Sequence, residues 1–177
     1  PQAEFVPIDD VYLPFASTNF YTAERKTHVQ YITKMEYERR VRAGMYIDVD
    51  LGYPDDPEFS KASIANDKIE GRQSQASNID GVRRVFHIYT WLEMDDDKFS
   101  SGERAPYILM VDELTSEKVG LYRNWEDGDD TMTKLDWLVE FKFIPWRGAY
   151  AIGLPHLIGG LSAALTGSLR ALLDSAH

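Results

Sequence analysis

Between Ala151 and Leu169 the chain carries no Asp, Glu, Lys or Arg. Leu154, Leu157, Ile158, Leu161, Leu165, Leu169 and Leu172 recur there at steps of one, three and four, the apolar stripe of a helix. Pro155 suits the first turn of such a helix, where its missing N–H costs nothing. The run is about as long as a bilayer requires. Pro155, His156, the glycines and the hydroxyls of Ser162, Thr166 and Ser168 argue against a membrane span. So does the lack of flanking basic clusters.

Gly160, Ala163, Ala164, Gly167 and Ala171 lie beside the stripe and leave a shallow face on which another backbone can approach closely. Each glycine costs about 1 kcal/mol against alanine in a helix interior. Close packing, within the chain or between subunits, is the expected compensation. Upstream, Leu138, Glu140 and Lys142 alternate with Val139, Phe141 and Phe143. That period of two predicts a strand over 138–143 with one apolar and one mostly polar face. Pro145 is expected to end it, since proline cannot donate to a ladder. Gly148 and Gly153 punctuate the loop that follows.

Phe143-Ile-Pro145, Gly148-Ala-Tyr150, Ile152-Gly-Leu-Pro-His-Leu-Ile-Gly159, Leu161 and Leu172-Leu-Asp-Ser-Ala176 together resemble a segment of bacteriophage portal proteins. The similarity is to the portals of short-tailed phages and related prophages. Its motif residues are Phe143, Pro145, Gly153, His156, Leu157, Gly159 and Asp174. The chain departs from the pattern at Ala151, Ser162 and Ser175-Ala176-His177. A weaker likeness continues in Ile8-Asp-Asp10, in Thr27-His28 before a strand, and in a helix ending near Gly44 and Tyr46.

The resemblance implies a dodecameric ring at one capsid vertex, through which DNA is packaged and ejected without sequence-specific binding. It implies docking of terminase, capsid and tail or adaptor proteins. The place would be the virion, after assembly in the host cytoplasm. Residues 1–145 would form a wing-like α+β region, and residues 146–177 a loop and apolar helix leading to the rest of the portal. Pro1 is not an initiator Met, and His177 falls inside a helical pattern without a glycine cap. A segment of a longer protein is therefore expected.

Lys and Arg number 19 against 29 Asp and Glu, a formal charge of −10. A protein that grips nucleic acid by its phosphates needs a basic face, which this balance opposes. There are no cysteines, so thiolate metal sites, iron–sulfur clusters, disulfides and cysteine nucleophiles are excluded. The 177 residues suit one domain, or one domain with an appendage.

In chain order, the proline-broken run Phe5 to Pro14 predicts an extended edge segment, and Ala16 to Arg25 a polar loop. Thr27 to Ile32 suits a short strand. Thr33-Lys-Met-Glu36 has the form of a capping box, and Gly44 is placed to end the helix it starts. Asp56-Pro57 suits the start of another helix running to Glu70, followed by a loop over Arg72 to Asn78. Val82 to Met94, Tyr107 to Val111 and Val119 to Tyr122 predict strands. Asp95 to Gly102 and Thr115 to Lys118 are the turns between them. With 138–143 these make an antiparallel β meander of about four strands, flanked by helices and closed by the apolar C-terminal helix. The fold class is α+β.

No catalytic set is assembled. Neither Asp95-Asp-Asp97 nor Glu126-Asp-Gly-Asp-Asp130 has the spacing of a calcium loop, and both sit where turns favour Asp. His28, His87, His156 and His177 lack metal-binding helical spacing, and His87 is expected to be half-buried in a strand. Ser168 is not in a nucleophile elbow, and no glycine-rich phosphate loop exists. The aromatics Trp137, Phe141, Phe143, Trp146 and Tyr150 lack the interleaved cations that base stacking needs. No cofactor is expected. The alternatives to a portal segment are a metal-dependent enzyme using the acidic loops, and another phage tail or baseplate module.

Overall fold

Alternating β-branched and aromatic residues over residues 26–32, 83–93 and 104–112 build the central strands of an antiparallel sheet. The computed structural model describes residues 3–52, 65, 68–69, 81–94, 104–146 and 148–175. Five strands follow each other in sequence and in space: β1 (Val11–Tyr12), β2 (Lys26–Ile32), β3 (Arg83–Glu93), β4 (Arg104–Asp112) and β5 (Lys118–Arg123). All neighbours are antiparallel. The class is α+β, with a short helix α1 (Lys34–Arg42) and a long helix α2 (Leu154–Ser175). The expected helix over Asp56 to Glu70, the loop over Arg72 to Asn78 and the hairpin loop over Asp95 to Gly102 lie outside the described residues, apart from helical positions 65, 68 and 69.

The chain divides into two compact units. Residues 1–12 and 24–135 form the first, and residues 13–23 and 136–177 the second. In the first, Ile32, Val85 and Val119 on the sheet enclose a core with Tyr46 and Leu51. Tyr37 and Val41 of α1 pack against it with Val49 and Met110. Helix α1 starts where expected, with the Glu36 amide donating to Thr33 Oγ1 at 3.3 Å. The second half of the box is not formed. Glu36 instead pairs with Arg39 and Arg40 one turn on, at 2.8 and 2.9 Å, because charged partners outcompete a backbone amide for the carboxylate. Gly44, at φ +72°, follows the helix as a glycine terminator should.

The edge strand β5 is covered: the Ile47 amide donates to the Val119 carbonyl at 2.8 Å, and the Tyr122 hydroxyl donates to the Met45 carbonyl. Strand β4 begins three residues earlier than sequence suggested and includes Pro106, whose surface is almost fully buried. Its carbonyl accepts from the Asn124 amide at 3.0 Å. The missing N–H points the same way, just beyond the Tyr107–Arg123 pair that ends the β4–β5 ladder. Proline therefore removes no bond to β3.

The expected strand over Leu138–Phe143 is not one. Those residues join no ladder among the described residues, and the sheet ends at β5, where the meander would have continued, while β1 and β2 extend it on the other side of β3. The only ladder in the second unit, among the described residues, is the short hairpin of β6 (Ile144–Pro145) and β7 (Ala151–Ile152). Its register is Ile144 with Ile152 and Pro145 with Ala151, so Pro145 sits inside it rather than ending a longer strand. Gly148, at φ +80°, turns the connecting loop.

Candidate interaction surface

Residues 136–146 and helix α2 carry the largest run of exposed apolar side chains described in the molecule. The burial of 138–143 alternates in the sense opposite to an amphipathic strand. Leu138, Glu140 and Lys142 are half-buried, and Glu140 pairs with Lys142 at 2.9 Å. Val139, Phe141 and Phe143 point outward, Phe141 at 96 % exposure. The segment is held by its polar side, and the Glu140 amide donates to the Tyr21 hydroxyl at 3.4 Å. Trp137, Trp146 and Tyr150 are exposed beside it.

Helix α2 has no buried residue. Leu157, Ile158, Leu161, Leu165, Leu169, Leu172 and Leu173 are all exposed. The small residues Gly160, Ala163, Ala164, Gly167 and Ala171 are exposed with them. A Cβ built on Gly159, Gly160 or Gly167 meets nothing within 4 Å, so the described residues supply no close packing there. The helix hides its own polarity. Thr166 Oγ1 donates to the Ser162 carbonyl at 2.8 Å and Ser168 Oγ to the Ala164 carbonyl at 3.0 Å. Back-bonding of this kind leaves methyl and methylene groups outward. No described helix is long and apolar enough to cross a membrane.

The residues of the portal-like pattern fall in this unit. Phe143 is exposed, Pro145 is in the hairpin, and Gly153 precedes α2. The His156 amide closes the opening turn onto the Gly153 carbonyl at 3.1 Å. His156, Leu157, Gly159 and Asp174 are exposed on α2.

Elsewhere, Asp129 and His87 are engaged in local hydrogen bonds. Of the two acidic clusters, Asp95 to Asp97 lies outside the described residues. In Glu126 to Asp130, Asp129 Oδ1 accepts from the Thr131 amide and hydroxyl at 2.9 and 2.6 Å, and Oδ2 from the Thr133 amide at 2.9 Å. The Thr131 hydroxyl, with the amides of Thr133 and Thr131, holds its pKa down at about 2. This contribution is present above the ordinary value of 3.8 and is lost as pH falls below it. Among the described residues no three His, Asp or Glu side chains gather as a metal site. With both Asp129 oxygens occupied, millimolar Ca²⁺ is expected to leave the melting temperature unchanged. A site filled at 100 times its Kd would add about 2.7 kcal/mol, and a rise of several degrees abolished by Asp129→Asn would contradict this.

His87 is buried rather than half-buried, at 7 % exposure. It bonds Tyr46, which is bonded in turn by Arg40. Sequence reasoning missed this cluster because its members are 41 residues apart or come from three elements. A scan against protein-family models finds no match, and searches of the curated proteins and the solved structures find none.

Proposed function

We propose that this chain is a segment of a bacteriophage portal protein whose second unit packs against further copies of the same protein in the ring at the capsid vertex. The observation that carries the reading is the uncovered apolar surface of 137–146 and α2, including glycines with open space above them. Exposed leucines scattered singly need no explanation, whereas a continuous run of them marks a contact surface. The choice of assembly rests on the resemblance in Phe143–Pro145, Gly148–Tyr150, Ile152–Gly159 and Leu172–Ala176.

In such a ring the role is structural. The protein is a conduit for DNA during packaging and ejection, and a platform for terminase, capsid and later tail or adaptor proteins. It acts in the virion after assembly in the host cytoplasm. The formal charge of −10 supports DNA passing by without being gripped. The engagement of Asp129 and His87 in local hydrogen bonds supports a role without chemistry.

Gly167→Leu tests the reading. On the open face of α2 the change is expected to stabilise the isolated chain by somewhat under 1 kcal/mol, through helix propensity. In a close subunit contact the same side chain overpacks, at a cost of about 1–3 kcal/mol. The expected result is a slightly raised melting temperature for the chain alone and failed ring assembly of the full-length protein, read by mass photometry and electron microscopy. Rings that assemble normally with leucine at 167 would sink the proposal for this face.

A further inference from the structure

One face of the sheet is covered by α1 and residues 44–52, and a polar chain crosses that junction beside the core. Arg40 of α1 donates through Nη1 to Gln30 Oε1 on β2 and to the Tyr46 hydroxyl oxygen, each at 2.8 Å. Its Nε donates to Glu36 at 2.9 Å. Tyr46 Oη lies 2.9 Å from His87 Nε2 on β3. Arginine has no acceptor, so the Tyr46 oxygen must accept from it. Donation of the hydroxyl proton to His87 is the arrangement that gives this proton a partner among the described residues. In it Nε2 is the acceptor and the ring proton sits on Nδ1, one of the two neutral tautomers.

We propose that this chain of hydrogen bonds is an acid-sensitive latch: a proton taken from solvent onto His87 Nε2 releases the layer of α1 and residues 44–52 from the sheet. Protonation fills the lone pair that receives the Tyr46 hydroxyl, so that proton must turn elsewhere. Among the described residues, the charged groups acting on the new imidazolium are His28 and Arg40, and no carboxylate. From β2 it meets His28, 6.3 Å away ring to ring, with buried Lys26 two residues along on the same side. From α1 it meets Arg40, and Glu36 is already committed to Arg39 and Arg40. From the 44–52 segment it meets Tyr46, and its cross-strand partner on β4 is Met110. A buried cation facing another cation is strongly disfavoured, and opening the layer to water relieves it.

Burial first, then His28 and Arg40, push the His87 pKa from 6.5 to about 3. The folded value lies below the unfolded one, so the stabilising contribution is complete above 6.5 and is lost as pH falls towards 3. The opening constant should rise up to about tenfold per pH unit across that window. His28 is also lowered, chiefly by burial against the raising effect of Asp10 and Glu4, so it requires its own control.

The test is hydrogen exchange of the whole chain between pH 7.5 and 5, corrected for intrinsic rates, over peptides covering 34–52. The wild type is expected to show an opening constant that climbs as pH falls below 6.5. His28→Gln should keep most of that slope, and His87→Gln should cut it by at least half. A smaller reduction in His87→Gln overturns the latch. Should His87→Gln fail to fold, ring ¹⁵N spectra of the wild type decide. A neutral Nδ1–H ring that persists while protection of 34–52 falls supports the proposal. An Nε2–H tautomer, or a ring that protonates near 6.5 with protection intact, overturns it.

Discussion

Asp112→Ala is expected to destabilise the chain by about 3–5 kcal/mol. Asp112 on β4 is fully buried and sits 2.8 Å from Arg83 Nη1 on β3. Arg83 Nη2 also donates to the Leu51 and Gly52 carbonyls, at 3.0 and 2.7 Å. Asp112 Oδ2 further accepts from the Thr115 amide and hydroxyl, each at 2.9 Å, and so shapes the β4–β5 turn. In that turn Ser116 takes a positive φ of 58°. Removing the carboxylate leaves a guanidinium buried without its counter-charge and frees the turn amide together. Replacing both charges, as in Arg83→Met with Asp112→Leu, removes the desolvation penalty along with the attraction. The double variant should recover most of the loss. Urea unfolding of the two singles and the double settles this. Losses that simply add would mean the pair is not coupled.

Ile32→Ala should cost about 2–5 kcal/mol, whereas Leu165→Ala should change the stability of the chain alone by no more than about 0.5 kcal/mol. Ile32 is 1 % exposed and lies in the core between Val85, Tyr46 and Leu51. Leu165 is 65 % exposed on α2. The two positions look alike in sequence, each an aliphatic residue in a periodic apolar pattern. The same denaturation experiment applied to both reads the difference directly. A cost near 2 kcal/mol at Leu165 would show that α2 is covered within the chain. A neutral Leu165→Ala that nonetheless weakens assembly of the full-length protein would support the subunit contact proposed for α2.

Local chemistry was legible wherever it depends on neighbours along the chain. The Thr33 cap, the Gly44 terminator, the β3 to β5 hairpins and the helical period of α2 each follow from a few adjacent residues. Backbone sterics and short-range hydrogen bonds dictate such features whatever surrounds them. Which side of a pattern is buried does not follow in this way. The alternation over 138–143 persists in the burial of the segment, but no described strand pairs with it, and its apolar side faces outward. Alternation states that two faces differ, and only a partner strand or a covering layer decides which face is inside. The same holds for α2, whose stripe promises packing that the described residues do not provide. The Arg83–Asp112 pair and the Arg40–Tyr46–His87 chain were beyond sequence reasoning for a related cause. Their energies arise from burial and from register between strands far apart in sequence, quantities that exist only once the sheet has formed.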